Sequence, residues 1–130
     1  MLGASADIHC LRDATRGGVA TVVNEIAQSS GVCIRLDEAR LPVREPVAGL
    51  CELLGLDPLY MANEGKLVAI VPREAATRVL AAMRADPFGS DARIIGEVVD
   101  GPAGLVTMAT VLGGERIVDM LVGEQLPRIC

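Results

Sequence analysis

Three stretches of this chain repeat apolar side chains at helical spacing, and the apolar segments between them have the length and alternation of strands, which confines the fold to layers of helix and sheet. Val19, Val22, Val23, Ile26 and Ala27 make the first stripe. It follows Gly17-Gly18 and stops before Gly31, the residue type that ends helices in a left-handed turn, so the spacing predicts a helix of about three turns. Asp13 or Thr15 is placed to cap its start. The second stripe is Val47, Leu50, Cys51 and Leu54, closed by Gly55 before Asp57-Pro58 turns the chain, and it puts Cys51 in the core. A third helix, over 73–85, follows Pro72, turns Ala76, Val79, Leu80 and Met83 inward, and is stopped by Asp86-Pro87-Phe88-Gly89.

Between these helices, Val32, Ile34 and Leu36 alternate with Cys33 and Arg35 as in a half-buried strand. Residues 59–61 and 67–71 read as two strands joined by Asn63-Glu64-Gly65-Lys66, the second apolar enough for the centre of a sheet. Residues 94–99, 105–111 and 116–121 read as strands separated by Gly-rich turns, and 6–11 as a strand or the end of a linker. The order β-α-β-α-β-β-α-β-β-β predicts an α+β domain, a layered mixed β-sheet covered by helices.

Composition narrows the partners. With one Phe, one Tyr and no Trp, the core must be aliphatic, and no aromatic platform exists on which a base could stack. A net charge of -5 repels phosphate backbones and anionic lipid alike, so neither nucleic acid nor a membrane surface is expected. No apolar run spans a bilayer and no signal peptide opens the chain, which makes a cytoplasmic domain the expectation. Apolar residues nevertheless make up 51% of the 130, more than the interior of one domain needs, so part of the apolar surface is expected to face a partner. Cys10, Cys33, Cys51 and Cys130 are widely spread, with only His9 as an imidazole, a pattern that suits free thiols better than zinc or disulfides.

Chemistry concentrates in three places. Asp13-Ala14-Thr15-Arg16-Gly17-Gly18 enters the first helix, where outward-pointing N–H groups and the positive dipole end favour a phosphate, and two glycines allow close approach. A plain capped helix start is the alternative. Asn63-Glu64-Gly65-Lys66 sets two charged side chains beside a glycine; if Glu64 is partly desolvated it can act as a base, and otherwise the turn only solubilises. Finally, the chain ends Leu126-Pro127-Arg128-Ile129-Cys130. The α-carboxylate disfavours the terminal thiolate, so reaction there needs Arg128 or an external base, but the segment after Gly123 can reach roughly 25 Å when extended.

Together these segments resemble the HypE proteins, the carbamoyl dehydratases of [NiFe]-hydrogenase maturation, which belong to the AIR-synthase-related (PurM-like) superfamily. The likeness is carried by Asp-Ala-Thr-Arg-Gly-Gly-Val-Ala-Thr-Val-Val-Asn-Glu at 13–25, Cys-Glu-Leu-Leu-Gly-Leu-Asp-Pro at 51–58, Ala-Asn-Glu-Gly-Lys-Leu-Val at 62–68 and the terminal Pro-Arg-Ile-Cys. It implies that a HypF-type carbamoyltransferase loads a carbamoyl group onto Cys130, that ATP with Mg2+ activates the carbamoyl oxygen, and that dehydration leaves a thiocyanate. The cyano group then passes to iron on a HypC–HypD-type scaffold. On this resemblance Glu64 is the candidate base, Asp13, Thr15, Arg16, Gly17 and Gly18 lie near the phosphates, and Asn63, Lys66 and Arg128 support them; no metal ligand is assigned to this chain.

The family also carries an N-terminal half that supplies most of the ATP site and a homodimer interface, to which nothing in these residues corresponds. The expected organisation is therefore a domain over 1–122 and a carrier tail over 123–130, inactive without that half. Two rival readings stand beside this one: a passive carrier presenting Cys130, and the equivalent domain of a selenophosphate synthetase or thiamin-monophosphate kinase, relatives that lack the terminal motif.

Overall fold

The computed structural model of the chain describes Gly3 and residues 7–120. Along them run strand β1 (Cys10–Asp13), helix α1 (Gly18–Ser30), strand β2 (Cys33–Asp37), helix α2 (Glu45–Leu54), strand β3 (Leu67–Ile70), helix α3 (Arg73–Arg84) and strands β4 (Gly96–Val99), β5 (Val106–Ala109) and β6 (Glu115–Ile117). One sheet has the order β4-β2-β5-β6, with β2 and β5 parallel and its other pairs antiparallel; a second holds β1 and β3 antiparallel. The α+β expectation and its mixed sheet hold.

Helix α1 is the centre of the molecule. Its stripe of Val22, Val23 and Ile26 is buried with Ile34 and Leu36 of β2 and Val106 and Met108 of β5, while Cys10, Val68 and Ile70 of the small sheet pack against the same cluster. Gly31 ends the helix in the left-handed region at φ 65°, and Val32 N–H reaches back to Ala27 O at 3.0 Å, a closed C-terminal turn that the glycine makes possible. The opposite face of the larger sheet is charged: Arg73 pairs with Glu97, and Thr107 Oγ1 donates to Glu115 Oε1 at 2.8 Å.

Several expectations are corrected. Residues 59–61 are not a strand: Pro58–Tyr60 is a 3-10 turn, because Pro58 fixes the backbone and Asp57 Oδ1 accepts from Leu59 N–H at 2.9 Å. Strand β3 is not central among the described residues; it pairs with β1 alone and leaves Leu67 exposed, since an apolar run reads the same whether this chain or another surface covers it. In α3 the buried positions are Ala75 and Val79, with Ala76, Leu80 and Met83 only half-buried. The strand expected over 116–121 begins at Glu115 and ends at Ile117 among the described residues.

Candidate functional site

Two of the three chemical segments adjoin. Strands β1 and β3 pair with Asp13 opposite Leu67, so the loop after β1 and the turn before β3 leave the same end of the small sheet. There Ala14 N–H donates to Lys66 O at 3.3 Å, and Asn63 N–H donates to Ala14 O at 3.0 Å. Asn63 is the hub of this corner: its Nδ2 donates to Met61 O at 3.0 Å and its Oδ1 accepts from Lys66 Nζ at 2.8 Å. Glu64 sits between them on an exposed turn made possible by Gly65, whose φ is 69°. Among the described residues the partial burial expected of Glu64 is not seen.

The start of α1 differs from its expected form. Neither Asp13 nor Thr15 caps it; Gly17 is the cap residue, in the left-handed region, and makes no side-chain cap hydrogen bond. The side chain of Thr15 instead hydrogen-bonds the carboxylate of Asp13, and with Asp13's own backbone N–H it holds that carboxyl below the usual carboxylate range. Gly18 is demanded by a close approach, because a Cβ there would stand 2.3 Å from Leu59 O and 2.6 Å from Met61 O. The helix start thus rests on the backbone that leads into the Asn63 turn, with Arg16 exposed beside it and Arg12 paired with Glu25.

Cys130 and Arg128 lie outside the described residues, but the approach to them is firmly held. Val118 is fully buried and donates its N–H to Val106 O at 2.9 Å. Its carbonyl accepts from Nδ2 of the buried Asn24 at 2.8 Å, and the next carbonyl, Asp119 O, accepts from Tyr60 OH at 2.9 Å. Burial, then the neighbouring Asp57 carboxylate, pushes the Tyr60 phenol upward, which keeps it a donor. Sequence reasoning misses both anchors. Asn24 announces itself only as a polar residue inside the apolar stripe of α1, and Tyr60 as the single tyrosine of the chain.

Helix α2 departs from expectation more sharply. Of the stripe Val47, Leu50, Cys51 and Leu54, only Cys51 is buried. The helix touches the body along one flank, and its apolar face looks outward.

Among the described residues no group of three His, Cys, Asp or Glu is placed to hold a metal ion. No helix among them is long and apolar enough to cross a membrane.

This arrangement, a helix start set on glycines beside a charged turn on a small antiparallel sheet, defines a domain type, and the chain belongs to the family described as AIR synthase related protein, C-terminal domain, whose model matches residues 1–108. Within that family it is 59% identical, over all 130 residues, to the carbamoyl dehydratase HypE of Azotobacter vinelandii, of which it spans 38%. Among solved structures it resembles the hydrogenase maturation protein HypE in complex with ATP (TM-score 0.89, 52% identity, 95% of this chain and 38% of that one). It also resembles a chain of a HypE–HypF complex (TM-score 0.87, 48% identity, 92% of this chain and 39% of that one). The chain therefore covers well under half the length of these relatives.

Proposed function

We propose that this chain is the carrier-bearing C-terminal part of an ATP-dependent carbamoyl dehydratase that makes the cyanide ligands of [NiFe]-hydrogenase on its own Cys130. The supporting observation is the junction of two motifs, in which Ala14, Asn63 and Lys66 bond the loop at the start of α1 to the turn that carries Glu64. A phosphate-binding helix start and a carboxylate base are the two functions this chemistry needs side by side.

In the proposed reaction a HypF-type carbamoyltransferase places a carbamoyl group on Cys130 Sγ. The carbamoyl oxygen attacks the γ-phosphorus of ATP, ADP leaves, and one nitrogen proton is lost. Removal of the second nitrogen proton by a base then breaks the carbon–oxygen bond, releases phosphate and leaves S–C≡N. Glu64 is the proposed base. Asp13, Thr15, Arg16, Gly17 and Gly18 form the phosphate-proximal loop, where the N–H groups of α1 stabilise the departing anion. Asn63 and Lys66 fix the turn, and Arg128 assists the thiol.

Residues 1–122 form the domain and 123–130 the tail in this proposal. The part of the protein upstream of this chain supplies most of the ATP and Mg2+ contacts and the homodimer interface. A HypC–HypD-type iron scaffold receives the cyano group in the cytoplasm. The solved complex of one relative with HypF supports the first partner, and that of another with ATP supports the nucleotide.

The test is the full-length protein with carbamoyltransferase, carbamoyl phosphate and ATP, its adducts mapped by peptide mass spectrometry with Cys130→Ala as control. Carbamoyl on Cys130, followed by loss of water, is the expected sequence. Glu64→Gln is expected to accumulate the carbamoyl form; dehydration at the wild-type rate removes Glu64 from the mechanism.

A further inference from the structure

Two side chains far apart in sequence hold consecutive carbonyls just after β6. Asn24, 4% exposed inside the apolar stripe of α1, donates from Nδ2 to Ala20 O at 2.9 Å and to Val118 O at 2.8 Å. Tyr60 OH donates to Asp119 O at 2.9 Å. The two bonds differ in what demands them. The Asn24 amide and Val118 are both buried, so their bond belongs to the core, where a polar group must be satisfied. The Tyr60 bond lies at the surface on an exposed residue, and a phenyl ring would fill the same space without the hydroxyl.

Tyr60 belongs to the segment on which the candidate site is built. Leu59 O and Met61 O are the carbonyls that crowd Gly18 at the start of α1, and Met61 O also accepts from Asn63 Nδ2 in the turn that carries Glu64. Tyr60 and Glu64 are four residues apart, so their Cα atoms are separated by at most roughly 14 Å. Asp57, at the other end of the segment, pairs with Arg116 of β6. The chain therefore leaves β6 bonded to the backbone that leads into the Glu64 corner. Residues 120–130 continue to Cys130 and, extended, would reach at most about 40 Å, a length that by itself prefers no part of the domain. What the structure fixes is the point from which the tail starts.

We propose that Tyr60 is a positioning residue for dehydration: by holding Asp119 O, its hydroxyl sets the root of the carrier tail beside the Glu64 corner. The proposal rests on the carrier reading given above. A thiocarbamate entering the site must be ordered together with the chain that bears it, and a residue already held at the root need not be ordered again. Loading draws Cys130 into a site on another protein, where a root set beside Glu64 gives no advantage. The hydroxyl is therefore expected to count in dehydration and not in loading.

The experiment uses the full-length protein carrying Tyr60→Phe, which keeps the ring and removes the hydroxyl. Asp119→Ala is the control that changes the side chain and leaves the carbonyl. A time course of intact mass with carbamoyltransferase, carbamoyl phosphate and ATP gives both rates, as unmodified protein disappears and the carbamoyl adduct loses water. Tyr60→Phe is expected to slow water loss by about threefold to tenfold, the worth of one hydrogen bond, while loading and the ATP affinity read by calorimetry keep their wild-type values. Asp119→Ala is expected to match the wild type in both steps. Water loss at the wild-type rate in Tyr60→Phe overturns the proposal. So does an equal fall in loading, which would make the bond a general anchor of the tail. Weakened ATP binding would make Tyr60 part of the framework of the site itself and equally overturn it. Failure of wild-type Cys130 to acquire carbamoyl at all is a separate result, which sinks the carrier reading.

Discussion

Gly18 illustrates how one residue serves a fold and a site together. At φ 67° and with two carbonyl oxygens inside the space a Cβ would take, it tolerates no side chain. Gly18→Ala is expected to cost about 2–4 kcal/mol from strain plus overpacking, read as a lowered urea midpoint with unchanged slope. Asp13 makes a subtler case. Its carboxyl is held down by the Thr15 side chain first and by its own backbone N–H next. A carboxyl depressed in the folded state favours folding above its unfolded pKa, and that contribution disappears as pH falls through the folded value. Thr15→Val is therefore expected to raise the Asp13 pKa toward the ordinary value and to weaken the acid-side resistance to unfolding; carbon-detected NMR titration of the carboxylate reads the first directly. The glycine pair is legible in the sequence as a special backbone site. Its reason is not, because the carbonyls it must avoid belong to residues 59–61, distant in sequence and strand-like in their local pattern.

At the scale of elements, the local signals that survive are those whose physics is local. Gly31 and Gly55 end their helices in the left-handed turn their composition announces, and Val22, Val23, Ile26 and Ala27 of the α1 stripe are buried as their spacing predicts, with Val19 half-buried. What failed needed knowledge of the other side of a contact: periodicity says which residues of α2 share a face, but whether this chain covers that face is a tertiary fact. The same holds for β3, whose apolar run promised a central place. Within α2, Gly49 lies inside the helix and a Cβ added there would meet nothing within 4 Å, so Gly49→Ala is expected to stabilise the domain by about 0.5–1 kcal/mol through the unfolded chain. A chemical-denaturation midpoint moving upward is the expected result, and no change would mean that the helix is already ordered by something other than its own backbone preference. The turn that follows depends on Asp57, which caps Leu59 N–H and pairs with Arg116. One carboxylate thus ties together the corner from which the chain continues toward Cys130.

For the whole molecule the decisive feature is one-sidedness. Glu64 is exposed, Asp13 is exposed, the first turn of α1 bears no side-chain cap, and β3 pairs only with β1 among the described residues. Dehydration of a carbamoyl group asks for the opposite: a water-poor site, so that a carboxylate becomes basic enough to take a nitrogen proton and the phosphorylated intermediate is not hydrolysed. The chain spans 38% of the length of its Azotobacter vinelandii relative, and the proposed upstream remainder is the source of the missing wall. Loading and dehydration should therefore separate. This chain alone, given the carbamoyltransferase, carbamoyl phosphate and ATP, is expected to acquire carbamoyl on Cys130 and keep it, because the proposed acceptor tail is present while the closed ATP site is not. The full-length protein should carry the same adduct onward to thiocyanate, seen by intact mass as the loss of one water. Water loss from this chain by itself would mean that the exposed Glu64 corner suffices for catalysis, and the requirement for an upstream wall would have to be abandoned.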